Sequence, residues 1–253
     1  GKEKKQPANM AATKCFLLCP NGRYLTADVN GTDIYAKTDT PLMWEEWEIV
    51  PVAEGAALRS VFGGYLSVDI DGSVAVQAKP STWETFKIGR QEDMEKSGEF
   101  VSLETCHETF LTASADGTVS AAAGSCKFQI TPVIKETVGI FNYYHQRYLT
   151  ANADGSASFD GLTRGPSQVW TVERDGDKVS FKSKDGLYLC AEANGALVAN
   201  RKAANIWEKF SVLLAHGGFG LKSHHGKWVC AEKTGRAVAD RGAALEWETL
   251  VFQ

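Results

Sequence analysis

Arg147-Tyr148-Leu149-Thr150-Ala151-Asn152-Ala153-Asp154-Gly155-Ser156 is one of six versions of the same pattern in this chain. The others are Arg23-Tyr24-Leu25-Thr26-Ala27 leading to Gly31, Gly64-Tyr65-Leu66-Ser67-Val68 to Gly72, and Thr109-Phe110-Leu111-Thr112-Ala113 to Gly117. In the second half they are Leu187-Tyr188-Leu189-Cys190-Ala191 to Gly195 and Lys227-Trp228-Val229-Cys230-Ala231 to Gly235. Successive turn glycines stand 41, 45, 38, 40 and 40 residues apart. A near-constant period of this size marks a repeat architecture.

Each repeat reads as strand, turn, strand. In an extended chain, alternation puts Leu and Ala on one face and the aromatic and hydroxyl side chains on the other. Asp71-Gly72, Asp116-Gly117, Asp154-Gly155, Asn30-Gly31 and Asn194-Gly195 are hairpin turns, in which glycine supplies a positive φ. A second short apolar run follows, and an aromatic closes the unit: Trp47, Phe86, Phe128, Trp170 and Phe210, with Leu250 in the last copy. In four copies a Trp-Glu pair comes just before the closer, at Trp44-Glu45, Trp83-Glu84, Trp207-Glu208 and Trp247-Glu248.

Six units of about 40 residues suit either a propeller or two threefold assemblies. No blade signature such as Trp-Asp is present, and three units per lobe give lobes of ordinary domain size. The expected fold is all-β: two tandem β-trefoils, residues 14–133 and 134–253, after a disordered tail over 1–13 that carries Lys2, Lys4, Lys5 and Pro7. The segment around Pro132 to Val138 lacks the composition of a flexible linker, so the lobes are expected to pack as one body.

Composition removes several classes of function. The chain has 27 Lys plus Arg against 31 Asp plus Glu, a net of −4. The part from residue 134 onward holds 15 against 13 and is slightly basic, leaving 12 against 18 for the first part. Such a balance argues against general nucleic-acid binding. Apolar runs are too short for a transmembrane span or a signal-peptide core, so a cytoplasmic location is expected. Cysteines 15, 19, 106, 126, 190 and 230 read as reduced thiols, Cys190 and Cys230 being small packing residues in the Thr/Ser slot of the repeat. No CxxC pattern or histidine set completes a metal site, and no cofactor is expected. The repeated glutamates sit at equivalent positions and no hydrolase or phosphate-loop motif occurs, so no enzyme activity is expected. His107, His145, His224 and His225 fall in the turn that precedes the repeated strand and read as solvated turn residues, with a pH-sensitive surface as the alternative.

Asn-Gly-Arg-Tyr-Leu-Thr-Ala at 21–27, Asp-Gly-Leu-Tyr-Leu-Cys-Ala-Glu at 185–192 and the Trp-Glu-x-Phe closers at 83–86 and 207–210 resemble the fascin family of actin-crosslinking β-trefoil proteins. Leu-Lys-Ser-His-His-Gly-Lys at 221–227 is more distantly similar to hisactophilin, a single actin-binding trefoil. The resemblance covers residues 14 to 253. Fascins carry four trefoils, and this chain has the length of two.

The resemblance implies a cytoskeletal protein that binds filamentous actin through basic patches and bundles filaments when two patches engage. Candidate actin-binding residues are Lys182, Lys184, Lys222, Lys227, Arg147, Arg164, Arg201, Lys202, Arg241, Arg23 and Lys37. Arg201 and Arg241 are equally readable as partners of nearby acids. The fascin lysine-rich loop with its regulatory serine corresponds here to residues 37–44, which lack both the lysine run and the serine. Thr163 and Ser167, in the matching loop of the fourth repeat, are candidate phosphorylation sites that would add negative charge facing an acidic filament. The alternative class is a trefoil lectin, for which one Gln-x-Trp, Gln168-Val169-Trp170, is present.

Overall fold

A computed structural model describes residues 14–52, 55–90, 100–215 and 218–253; the tail over 1–13 lies outside the described residues. The first half forms Lys14–Leu18 (β1), Tyr24–Ala27 (β2), Ile34–Thr38 (β3), Trp47–Val52 (β4), Gly55–Ser60 (β5) and Tyr65–Val68 (β6). It continues with Val74–Gln77 (β7), Thr85–Arg90 (β8), Phe100–Glu104 (β9), Phe110–Ala113 (β10), Val119–Ala122 (β11) and Phe128–Pro132 (β12). The second half forms Thr137–Asn142 (β13), Arg147–Ala151 (β14), Ala157–Gly161 (β15), Val169–Asp175 (β16), Lys178–Lys182 (β17) and Tyr188–Ala191 (β18). Leu197–Arg201 (β19), Phe210–Ala215 (β20), Gly218–Lys222 (β21), Trp228–Ala231 (β22), Ala237–Arg241 (β23) and Leu250–Phe252 (β24) complete it. Five short 3-10 turns are the only helical elements among the described residues.

The pairings close on themselves. β1 pairs with β4, β4 with β5, β5 with β8, β8 with β9, β9 with β12, and β12 again with β1. In the second half the ring is β13, β16, β17, β20, β21, β24 and back to β13. Each half is therefore a six-stranded antiparallel barrel without a free edge. The remaining strands pair as three hairpins per barrel, β2–β3, β6–β7 and β10–β11, then β14–β15, β18–β19 and β22–β23. This arrangement is consistent with two β-trefoils.

The repeated glycines hold the hairpins together as well as turning them. In the second barrel the carbonyl of Gly155 accepts the Ala199 N–H at 2.8 Å, Gly195 that of Ala239 at 2.8 Å, and Gly235 that of Phe159 at 2.7 Å, a complete ring through the three hairpins. The first barrel has two of these links, Ala121 N–H to Gly72 at 2.8 Å and Ala36 N–H to Gly117 at 2.9 Å. Gly195 has φ +85°, and a Cβ there would lie 2.8 Å from the Cβ of Asp240. A left-handed backbone and a close neighbour together require glycine at this position.

The closers Trp47, Phe86 and Phe128 fill one barrel and Trp170, Phe210 and Leu250 the other, all fully buried. The two tryptophans also donate: Trp47 Nε1–H to the Leu25 carbonyl at 2.9 Å and Trp170 Nε1–H to that of Leu149 at 3.1 Å. Leu and Ala of each repeated strand point inward as the alternation requires. The opposite face departs from expectation, because Thr26, Ser67, Cys190 and Cys230 are buried too. A further layer covers them.

Between the barrels runs a link of residues 133–136. It is tied down by Val133 N–H to the Lys14 carbonyl, Val172 N–H to Glu136, and Arg174 Nη2 to the Ile134 carbonyl, each at 2.7 Å. One contiguous apolar cluster includes buried residues of both barrels, and β12 packs near β20 and β4 near β21.

Candidate functional site

The layer over the Thr/Ser/Cys slot is the glutamate of each Trp-Glu pair. Glu45, Glu84, Glu208 and Glu248 are only 3% to 5% exposed. Each folds back over its 3-10 turn to accept a backbone N–H, from Leu42 at 2.8 Å, Ser81 at 2.7 Å, Asn205 at 2.8 Å and Leu245 at 2.8 Å. Each also meets the slot residue of its own repeat: Thr26 Oγ1 donates to Glu45 at 2.9 Å, and the Ser67 hydroxyl and the Cys190 and Cys230 thiols lie against Glu84, Glu208 and Glu248, the Cys190 thiol also donating to Glu192 at 3.7 Å. In the fourth repeat Gln168 takes the place of glutamate, accepting the Gly165 N–H at 3.1 Å and donating to Thr150 at 3.0 Å. Each of these four glutamate carboxylates, and the Gln168 amide, has a structural task. These side chains close repeats and are withheld from a ligand.

The two cysteines therefore do more than fill space. Burial, followed by the bond to the neighbouring glutamate, pushes the Cys190 and Cys230 thiols up to about 12, so both remain S–H donors at neutral pH. Cys15 and Cys19 are also buried, and burial pushes Cys19 up to about 12 and Cys15 higher still. Among the described residues no three His, Cys, Asp or Glu side chains gather as metal ligands, and no helix is long and apolar enough to cross a membrane.

The tryptophan of each Trp-Glu pair has the opposite orientation. It lies half-open to solvent and leans on a ring from the turn before the next repeated strand. Centroid distances are 6.5 Å for Trp44–Phe62, 5.7 Å for Trp83–His107, 5.1 Å for Trp207–His225 and 5.2 Å for Trp247–His145. The last pair joins the final repeat back to the first of its barrel. Three of these four seams correct the reading of His107, His145 and His225 as solvated turn residues. His107 Nε2 bonds the Val68 carbonyl and His225 Nε2 that of Ala191, both at 3.2 Å, each tying a turn to the end of the previous repeated strand. His145 faces the equivalent Ala231 carbonyl, although its Nε2 is left without a bond of good geometry. His224 is exposed as expected.

The basic candidates divide by what they touch. Arg201 binds the Glu192 carboxylate and lies 3.9 Å from Glu208; Arg241 binds Glu232 at 3.0 Å and Asp240 at 2.6 Å and lies 4.0 Å from Glu248. Both brace the buried glutamates. Lys182 pairs with Glu173 at 3.4 Å and sits over the Tyr188 ring, Lys184 pairs with Asp185 at 2.8 Å, and Arg23 with Asp39 at 3.4 Å. Lys37 lies over Tyr35 and Lys222 over Trp228, at 5.7 and 5.8 Å from the ring centroids. Arg147 donates to the carbonyls of His145 and Gln146, at 3.5 and 2.9 Å.

Lys202, Lys227 and Arg164 are exposed, the stem of Arg164 resting beside Gly139 and Tyr148. Thr163 lies on the exposed loop before the 3-10 turn Pro166–Gln168, and Ser167 is half-buried within that turn. In the Gln-x-Trp triad Gln168 is bonded as above and Trp170 is core, so neither side chain is offered to a sugar. An open cleft of about 410 Å³ beside Trp83 is lined by Gln77, Ala78, Lys79, Ser81 and Glu84.

Two six-stranded barrels, each bearing three hairpins, define an all-β protein consistent with a pair of β-trefoils. The family model for the FRG1-like domain, a β-trefoil family related to fascin, matches residues 157–252, within the second barrel. No curated protein matches the chain. One solved structure, described as "Structure and mode of action of a mosquitocidal holotoxin", aligns over 98% of this chain at 9% identity and a TM-score of 0.43. The chain spans 34% of the length of that protein.

Proposed function

We propose that this protein consists of two β-trefoils of the fascin kind and that it binds actin filaments and crosslinks them into bundles in the cytoplasmic cytoskeleton. The observation that carries the reading is the pair of closed barrels joined by a short, hydrogen-bonded link and one shared apolar cluster. Two such bodies hold their surfaces at a fixed spacing, which a bundling protein needs in order to set the distance between filaments. The fascin-like repeats in both halves and the FRG1-like match in the second support the same reading. Attraction between exposed cations and an acidic filament is screened over about 10 Å at 0.1 M salt, so binding weakens as salt rises.

The test is sedimentation with purified actin filaments across a salt series. High speed reports binding and low speed reports bundling. Pelleting at both speeds is the expected result. Pelleting at high speed alone removes the crosslinking part of the proposal. Failure to pellet at either speed in low salt removes the actin reading.

A further inference from the structure

The four tryptophan seams are built on one plan, so equivalent positions can be compared directly. Each has a half-exposed or nearly half-exposed tryptophan leaning on a ring. Each is flanked by the residue just before the repeated aromatic and by the residue two beyond the end of the previous repeated strand. In the first barrel these flanking residues are uncharged. They are Gly64 and Val29 around Trp44–Phe62, and Thr109 and Ile70 around Trp83–His107, with Val29 59% and Ile70 77% exposed. In the second barrel the same positions hold Lys227 and Ala193 around Trp207–His225, and Arg147 and Lys233 around Trp247–His145.

The Trp247 seam concentrates the difference. Tyr144 stands beside both rings, 5.0 Å from His145 and 6.4 Å from Trp247, and is 38% exposed, while Trp247 is 36% exposed. Arg147 Nη1 donates to the His145 carbonyl at 3.5 Å, and Lys233 follows two residues after Ala231, whose carbonyl His145 faces. Burial is the main cause holding the His145 pKa below its usual range; the Ala231 carbonyl opposes it, and the charges of Arg147 and Lys233 lower it further. Among the described residues, neither Arg147, Lys233 nor Lys227 has a carboxylate within ion-pair distance, whereas Arg201 and Arg241 are held by glutamates. Trp247 lies in sequence between the exposed Glu246 and the buried Glu248. Two cations around a semi-exposed pair of aromatic rings suit a protein surface that presents carboxylates beside apolar side chains. Aromatic and arginine side chains commonly anchor such interfaces.

We propose that the Trp247 seam, formed by Tyr144, His145, Arg147, Lys233 and Trp247, is the surface through which the second barrel engages the acidic filament. This assignment rests on the actin reading above. It names a site that the repeat pattern alone disguises, since the uncharged seams of the first barrel have the same framework. Charge complementarity selects the occupant: an acidic protein filament gains from two cations that have no carboxylate partner among the described residues and gains nothing from Gly64, Val29, Thr109 or Ile70.

The experiment compares versions of this chain in high-speed sedimentation with actin filaments at 0.1 M salt. They are the wild type, Arg147→Glu with Lys233→Glu, and Lys79→Glu with Lys127→Glu, the last pair being exposed in the first barrel. Both double variants change net charge equally, and unaltered thermal melts show that both fold. The seam variant is expected to bind roughly tenfold or more weakly, from the loss of two favourable charges and the gain of two repulsive ones, while the control stays within about twofold of wild type. A conservative Arg147→Lys, Lys233→Arg variant should bind as wild type does.

Wild-type pelleting with equal weakening in both charge-reversal variants overturns the seam assignment and leaves the actin reading standing. Wild-type pelleting with no change in the seam variant does the same. No pelleting of wild type overturns both. Capture of the wild type by vesicles containing an anionic phosphoinositide, without actin pelleting, would reassign the seam to a membrane surface.

Discussion

Replacing Glu208 should reveal how much the second barrel depends on its buried carboxylates. The Glu208 carboxylate accepts the Asn205 N–H at 2.8 Å, meets the Cys190 thiol, and lies 3.9 Å from the Arg201 guanidinium while only 3% exposed. Arg201 and the Cys190 thiol both keep Glu192 when Glu208 is removed, so the main losses are the bond to Asn205 and the packed methylenes. A hydrogen bond to a charged acceptor contributes about 1.5–3 kcal/mol, and the remaining losses bring Glu208→Ala to about 3 kcal/mol. In a chain of this size each kcal/mol moves Tm by roughly 2–4 °C, giving a fall of about 6–12 °C by calorimetry.

The chain itself supplies a substitute for this carboxylate. In the fourth repeat Gln168 and Thr150 occupy the same two positions with bonds of 3.1 and 3.0 Å. Glu208→Gln alone should cost about 1 kcal/mol, because the amide N–H₂ then faces a weakly accepting thiol. Glu208→Gln with Cys190→Thr should return to within about 0.5 kcal/mol of wild type. An Ala variant melting within about 1 °C of wild type, or a Gln/Thr pair no better than Gln alone, would refute the assignment of these glutamates as structural latches.

Three more outcomes are expected. Gly195→Ala, which meets a positive φ of +85° and the Asp240 side chain at 2.8 Å, should lose about 2 kcal/mol or more in urea unfolding, whereas alanine at Gly22, with open space around it, should suffer only the backbone penalty. Thiol labelling of the native protein at neutral pH, read by mass spectrometry, should modify Cys106 and Cys126 and spare Cys15, Cys19, Cys190 and Cys230; fast labelling of Cys190 would contradict its buried, hydrogen-bonded state. Burial raises the pKa of Glu84, but the Ser67 and Ser81 hydroxyls and the Ser81 N–H outweigh it and leave the folded value below the ordinary one. Its contribution to stability is therefore fully present above the unfolded pKa of about 4.3 and is lost as pH falls through the lower folded value. Ser81→Ala should reduce this acid-dependent loss in melts recorded between pH 7 and pH 3; an unchanged pH profile would remove Glu84 from the acid response.

The period of about 40 residues, the turn glycines and the buried closers were legible in the sequence because strand alternation and hairpin geometry are local properties. Leu25, Leu149 and Trp170 could be placed in the core from their repeat positions alone. The sequence also showed the Trp-Glu pairs and the Thr/Ser/Cys slot as repeated features. It could not show that they meet, since Cys190 and Glu208 are eighteen residues apart and touch only when the 3-10 turn folds back over β18. For the same reason Arg201 and Arg241 read as equal candidates beside Arg147, although tertiary contacts commit the first two to glutamates and leave Arg147 without a carboxylate among the described residues. Lys233 gave no signal at all. Its position two beyond a strand acquires meaning only where the barrel closes and the last repeat comes to lie against the first. Local sequence determined the six units and their faces, whereas ring closure, a contact between residues about a hundred apart, decided which charges share a surface.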